Sequence, residues 1–233
     1  MERCWFSVLE TPMHRTLYVA TNNRHKLEEL RGAFGDSWRI CSAHEIAPGL
    51  SWNETGKTFL ENARIKARAL KTKTQDAVLA DDSGLIVDAL GGRPGVWSSS
   101  FGGVEGDHAR NNARLLKELS GIPLERRSAR FFCCLVLLTD SRRQTGVDAF
   151  HGATNPEATF EELIFEGTCE GRIALEPSGF GGFGYDPLFE VPIEDSTGKT
   201  IWRSMASLSP EEKNQISHRG KASQRLRAWA QSS

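Results

Sequence analysis

The stretch "VLADDSGL", Val78 to Leu85, carries an apolar run into two adjacent carboxylates, Asp81 and Asp82, followed by the small residues Ser83 and Gly84. Like charges that close repel each other unless a proton or a cation separates them, so the pair points to a role beyond solubility. A second candidate lies upstream. In "ATNNRHK", Thr21, Asn22 and Asn23 stand between a predicted strand and a predicted helix, and Lys26 adds a positive charge one turn in. Unpaired backbone N–H groups and the helix dipole favour an anion at such a junction. An ordinary helix cap followed by a solvated lysine explains the same stretch equally well.

Other phosphate motifs fail on inspection. Gly56-Lys57-Thr58 and Gly198-Lys199-Thr200 resemble the end of a P-loop, but the earlier glycine that the motif needs is Ser51 in one and Ile193 in the other. "GFGGFG", Gly179 to Gly184, fits G-x-G-x-x-G, yet Pro187 follows where a dinucleotide fold must begin a helix. His44, His108 and His151 show no metal-ligand spacing and read as structural or solvated.

The elements that must position these residues alternate early in the chain. A strand is predicted at "TLYVA" and a helix through "HKLEELRGAF", whose Leu27, Leu30 and Phe34 share one face. A second helix, "TFLENARIKARALK", opens with Thr58 and Glu61 in capping-box spacing, which gives Glu61 a structural role first and a further metal role second. Strands are predicted at "AVLA" and, separately, at "LIVDAL", then a turn-rich passage and a helix "HARNNARLLKELSG" ending at Gly121. Long β segments follow at "ARFFCCLVLLTD" and "TFEELIFEGTCEGRIALE", with a hairpin or insertion between them over 142–161. Ser209, Pro210 and Glu212 mark a last helical start. Helices between early strands and clustered strands later predict an α/β fold around a mixed sheet.

Composition bounds the partners. The chain has 233 residues, 39% hydrophobic and 25% charged, enough for a sizeable core. With 29 lysines and arginines against 30 aspartates and glutamates, there is no broad footprint for nucleic acid or anionic lipid, so any anion site must be local. The sequence holds five cysteines, Cys4, Cys41, Cys133, Cys134 and Cys169, without C-x-x-C spacing; Cys133 and Cys134 sit in "FFCCLVLL" and read as buried thiols. No run is long enough to span a membrane, and "MERCWFSVLETPMHR" lacks a continuous apolar core for a secretory signal, so a cytoplasmic address is expected.

Six segments in one order, "TNNRHK", "ETGKTFLENA", "ADDSGL", "VDALGGRPGV", "FGYDPLF" and "EEKNQISHRGKA", resemble the inosine triphosphate pyrophosphatase family from about Leu17 to Trp229. The resemblance implies hydrolysis of non-standard purine nucleoside triphosphates, those of inosine, deoxyinosine and xanthosine, to monophosphate and pyrophosphate, with Mg²⁺ as cofactor. It also implies an elongated mixed sheet with flanking helices forming two lobes around a substrate cleft, in a homodimer. Residues 16–233 would form this one domain, after an N-terminal extension over 1–15. Carried over by motif, the phosphate loop falls on Thr21, Asn22, Asn23, Arg24, His25 and Lys26. Glu54, by itself a solvated loop acid, and Asp82 take the metal positions, and Asp82 is the general base. Ser83 contacts substrate; Phe183, Gly184, Tyr185 and Asp186 form the nucleoside loop; Lys213, His218 and Arg219 reach phosphates and base.

These residue types suit the task. A nucleoside triphosphate carries close to four negative charges, for which Lys26, Lys213, Arg219 and Mg²⁺ are the expected counterparts. Asp81 is expected to hydrogen-bond backbone amides and orient its neighbour. A donor at the purine 6-oxygen, from His218, Arg219 or a backbone amide, would favour inosine and xanthosine over adenosine. Phe183 is either a stacking ring or a packed loop anchor. Two positions depart from the family pattern: Asn22 replaces a usual glycine, for which tolerance of left-handed backbone is the expected remedy, and Ser100 replaces a cation. The alternatives are a nucleotide-binding regulatory module without turnover and a pyrophosphatase for modified pyrimidine nucleotides.

Overall fold

The computed structural model describes residues 15–35, 38–140 and 160–232. Residues 1–14 of the N-terminal extension, with Cys4, and the segment 141–159, with His151, lie outside the described residues, while Arg15 begins the first strand. In chain order the elements are β1 (Arg15–Ala20), α1 (Arg24–Phe34), β2 (Trp38–Ser42), α2 (Ala43–Ile46), α3 (Phe59–Lys71), β3 (Ala77–Val87) and α4 (His108–Glu118). They continue as β4 (Ser128–Asp140), β5 (Phe160–Ile173), β6 (Phe189–Glu194), β7 (Thr200–Ser204), α5 (Pro210–Ile216) and α6 (His218–Ser232). The strands form one mixed sheet in the order β2-β1-β3-β4-β5-β6-β7. β1 runs parallel to β2 and β3, and every pairing from β3 onward is antiparallel. The expected α/β fold around a mixed sheet therefore forms.

Local chemistry sets the helix starts. Asn23 caps α1, its side chain accepting the His25 and Lys26 amides. Thr58 with Glu61 and Ser209 with Glu212 form complete capping boxes on α3 and α5. Glu61 Oε2 accepts the Lys57 amide as well as that of Thr58, which ties this oxygen to the cap in line with a structural role.

Three expectations change. "AVLA" and "LIVDAL" are not two strands: β3 runs unbroken through Asp81, Asp82, Ser83 and Gly84, and Asp88–Leu90 is a 3-10 turn. The reason is β4, whose ladder pairs every residue from Val78↔Leu138 to Val87↔Ala129 and keeps the acids extended. Helix α4 stops at Glu118, and Gly121, at φ 78°, belongs to the turn beyond it. Phe160 and Glu161 belong to β5, as the predicted β segment from Thr159 has them, so the insertion does not reach its expected bound at 161.

Alternation along the central strands sorts the core. Leu79, Cys133, Leu135 and Leu137 pack with Leu27, Leu30, Ala222 and Leu226 of α1 and α6. Val78, Ala80, Cys134 and Val136 pack on the other face with Ala63, Ala67 and Leu70 of α3. Leu85, Val87, Phe131 and Phe189 begin a third core with Leu115 of α4 beneath the antiparallel wing. Asp81 thus faces the α1/α6 layer and Asp82 the α3 layer. Gly167 of β5 admits the first turn of α6: a Cβ there would stand 2.1 Å from the His218 carbonyl oxygen.

Cys41, Cys133, Cys134 and Cys169 are all free and buried, and burial pushes the Cys134 thiol up to about 12 and that of Cys169 to about 11. Among the described residues, no helix is long and apolar enough to cross a membrane.

Candidate active site

Residues from the β1–α1 junction, α3, β3, the 96–108 segment, the 183–186 loop and the α5–α6 corner enclose a cavity of about 520 Å³. Asp82 lies in its wall, 6% exposed. Lys66 of α3 donates to Asp82 Oδ1 at 2.6 Å and to Glu54 Oε2 at 3.0 Å, so two carboxylates from separate segments converge on one cationic atom. Burial raises the Asp82 carboxyl to about 6, an increase that Lys66 and then Lys26 only partly offset.

Asp81, beside it, is tied down by side chains instead of the expected backbone amides. It accepts from Lys26 Nζ at 2.6 Å, Arg219 Nε at 2.8 Å, the Ser83 hydroxyl at 2.7 Å and the Cys133 thiol at 3.3 Å. Burial alone would raise this carboxyl, but Arg219 and then Lys26 overcome it and hold it well below the carboxylate range. Lys213 is shared between Glu29 and Asp186, each at 2.6 Å, and Arg219 also reaches Glu29. Although burial opposes it, Arg219 and Lys213 bring the Glu29 carboxyl down to about 2. Each of Lys26, Lys66, Lys213 and Arg219 is therefore already matched to a carboxylate.

A model of the Ham1 family matches residues 17–229. The chain belongs to the Ham1 family. It is 43% identical over 212 residues to a dITP/XTP pyrophosphatase of Halalkalibacterium halodurans, covering 91% of this chain and 96% of that one. A dITP/XTP pyrophosphatase of Geobacillus kaustophilus is 44% identical over 213 residues, covering 91% and 92%. The solved structure of a HAM1 protein from Coxiella burnetii superposes with a TM-score of 0.72 at 36% identity, covering 94% of this chain and 99% of that one.

The Ham1-family cavity gathers most residues expected from the sequence. Thr21, Asn22, Asn23, Lys26, Glu54, Asp82, Ser83, Phe183, Gly184, Tyr185, Asp186, Lys213, His218 and Arg219 all line it. Arg24 and His25 do not; the Arg24 side chain is 87% exposed and pairs with Glu28. The N-terminal donors of α1 are largely occupied, since Asn23 takes two amides and Thr21 Oγ1 accepts the Asn23 amide. The cap half of the ordinary reading thus describes the junction, but Lys26 is not a solvated lysine: it lines the cavity and binds Asp81. Asn22 needs no left-handed tolerance, because no described residue other than glycine has a positive φ.

Within the nucleoside loop, roles divide. The Tyr185 hydroxyl donates to the Ser98 carbonyl at 2.8 Å, which anchors a buried ring. Asp186 accepts the Phe183 amide and Lys213, fixing the turn, and Gly184 supplies φ 64°. Phe183 stacks on His25 with centroids 5.1 Å apart, and Lys213 Nζ sits 4.9 Å from its ring centre. His218 lies against Phe131 at 4.8 Å, and its buried Nδ1 has no partner. Burial, with Arg219 beside it, brings His218 down to about 3, so its imidazole is neutral.

Sequence reasoning missed Lys66, Asn62 and Glu29. Asn62 and Lys66 stand four apart on α3, both buried. Their signal was a polar pair riding beside the apolar stripe of Ala63, Ala67 and Leu70. Glu29 stands one turn after Lys26 and carries no motif. His108, expected to be solvated or structural, lies in the cavity wall 6.2 Å from the Phe183 ring. Ser100 also lines the cavity, so no arginine or lysine enters from that position.

Proposed function

We propose that this chain hydrolyses inosine, deoxyinosine and xanthosine triphosphates to the monophosphate and pyrophosphate, removing non-standard purines from the nucleotide pool. The observation that carries the reading is Asp82. It is a buried carboxylate with a raised proton affinity at the wall of a cavity of nucleotide size, in a chain whose relatives are dITP/XTP pyrophosphatases. Asp82 accepts a proton from a water whose oxygen bonds to the α-phosphorus. The bond from that phosphorus to the bridging oxygen breaks, and its electron pair leaves with pyrophosphate.

Charge matching supports Mg²⁺ as the cofactor. All four cavity cations already face carboxylates, so a tail carrying close to four negative charges needs positive charge from outside the chain. Among the described residues no group of three or more His, Cys, Asp or Glu is arranged to hold a metal. Two carboxylates suffice for Mg²⁺, which keeps several waters and takes further oxygens from phosphate. Glu54 and Asp82 fit, since they already converge on one cation, Lys66. When bound, the ion supplies charge to the polyphosphate and polarises its oxygens. Lys26 has two N–H groups beyond its bond to Asp81, and Lys213 and Lys66 have one each beyond theirs; these are the donors left for phosphate oxygens.

For the base, Arg219 is largely spent on Asp81, Glu29 and Ser83, so the donor to the purine 6-oxygen falls to His218, a neutral imidazole in the cavity wall, or to a backbone amide. Residues 16–233 act as one domain, supported by the continuous sheet. A cytoplasmic address is supported by the unpaired thiols of the described cysteines, and a homodimer by the family resemblance. Scattering in solution reads the dimer directly.

The deciding experiment incubates the protein with Mg²⁺ and each triphosphate in ¹⁸O water. Label in the monophosphate, with unlabelled pyrophosphate, is expected. Orthophosphate with a diphosphate product, or binding without turnover, overturns the reading.

A further inference from the structure

Asn62 is 2% exposed, in the first turn of α3, and makes two contacts outside its own helix. Its Oδ1 accepts the Gly56 amide at 2.8 Å. That bond fixes which end of the carboxamide is oxygen, so the NH₂ end faces Asp82 Oδ2, at a longer 3.4 Å. One turn on, Lys66 holds the other oxygen, Oδ1, and also reaches Glu54. Two successive turns of α3 therefore each bridge the 54–56 loop and the same carboxylate, one to each of its oxygens. The loop is built for the approach: a Cβ on Gly56 would stand 2.6 Å from Asn62 Oδ1 and 2.7 Å from Glu61 Cβ. Burial obliges the NH₂ end to find an acceptor too, and the acceptor it meets is the free oxygen of Asp82 rather than a carbonyl of its own helix.

We propose that Asn62 is a positioning residue, whose carboxamide fixes the rotation of the Asp82 carboxylate and pins the loop that carries Glu54 at a set distance from it. This rests on the reading of Asp82 as the carboxylate that steers water. With Oδ1 tied to an ammonium and Oδ2 held by one neutral donor, Oδ2 keeps the lone pair that meets the incoming water.

Steady-state kinetics on inosine triphosphate with saturating Mg²⁺, alongside thermal melts, test it. Asn62→Asp keeps an acceptor for the Gly56 amide but replaces the donor to Asp82; kcat is expected to fall about 10- to 100-fold with KM within about threefold. Asn62→Leu, of similar volume, loses both bonds and is expected to raise KM as well, because the Glu54 loop is released. A folded Asn62→Asp with wild-type kcat overturns the proposal, as does a loss of activity that only tracks the unfolded fraction. Should Asn62→Asp not fold, Asn62→Ser replaces it with the same expected fall and the same overturning result. Asp82→Asn is measured in parallel. Wild-type turnover there removes Asp82 as base and this inference with it, whereas wild-type turnover in the Asn62 variants alone removes only the inference.

Discussion

On the α1/α6 face of β3, Asp81 meets an arginine, a lysine, a hydroxyl and a thiol, and stays ionised in a fully buried place. On the α3 face, its neighbour Asp82 meets one lysine that it shares with Glu54, and burial wins. The residues differ by one position and by the side of the sheet to which alternation sends them. A carboxylate whose proton has been priced out by several cations is a fixture of the fold. One left near 6 is free to exchange a proton, which is what a base requires.

The largest expected effect tests the reactive side of that contrast. Asp82→Asn should lower kcat by about 10² to 10⁴-fold while changing the melting temperature little, as steady-state assays and calorimetry would show. Wild-type turnover would erase the distinction between the two acids. On the other face, Asp81→Asn leaves Arg219 and Lys26 without their shared counter-charge and should cost about 3–5 kcal/mol in denaturant unfolding. A variant as stable as the parent would mean the two faces are equivalent after all.

A pH series sharpens the comparison further. Glu29 sits at about 2 in the fold against an ordinary 4.5, so the stability it contributes is complete above about pH 4.5 and is lost as pH falls toward 2. Asp82 has the opposite sign. Held near 6 against an ordinary 3.8, it binds its proton more tightly in the fold than in the open chain, and its contribution to stability fades as pH climbs between those values. Glu29→Gln should flatten the acid side of a plot of melting temperature against pH. The smallest effect belongs to the exposed loop arginine: Arg24→Ala should change stability by no more than about 0.5 kcal/mol and leave KM for inosine triphosphate unaltered.

That last residue also shows where sequence reading stops. Motif order brought Arg24 into the phosphate loop with its neighbours, but a helix turns 100° per residue, and Arg24 leaves on the solvent side while Lys26 enters the cavity. Glu54, Asp82, Lys213 and the capping boxes of α3 and α5 were legible because their chemistry is local or motif-bound. Lys66, Asn62 and Glu29 were not, since a polar residue on a helix reads as solvated until the sheet beneath it is known. β3 was read as two strands for a related reason: nothing local says that β4 will hold a pair of acids extended. The short β2, β6 and β7 leave little periodicity to find, and Pro192 within β6 weakens the strand signal there.

Gly167 lies far from any reacting atom, yet the backbone of α6 can sit down on β5 only because that position has no side chain. Lifting the helix off the strand would carry Arg219 away from Asp81 and His218 out of the cavity wall. Sequence drift in this protein can therefore silence the chemistry from behind, through an alanine that no inspection of the cavity would flag.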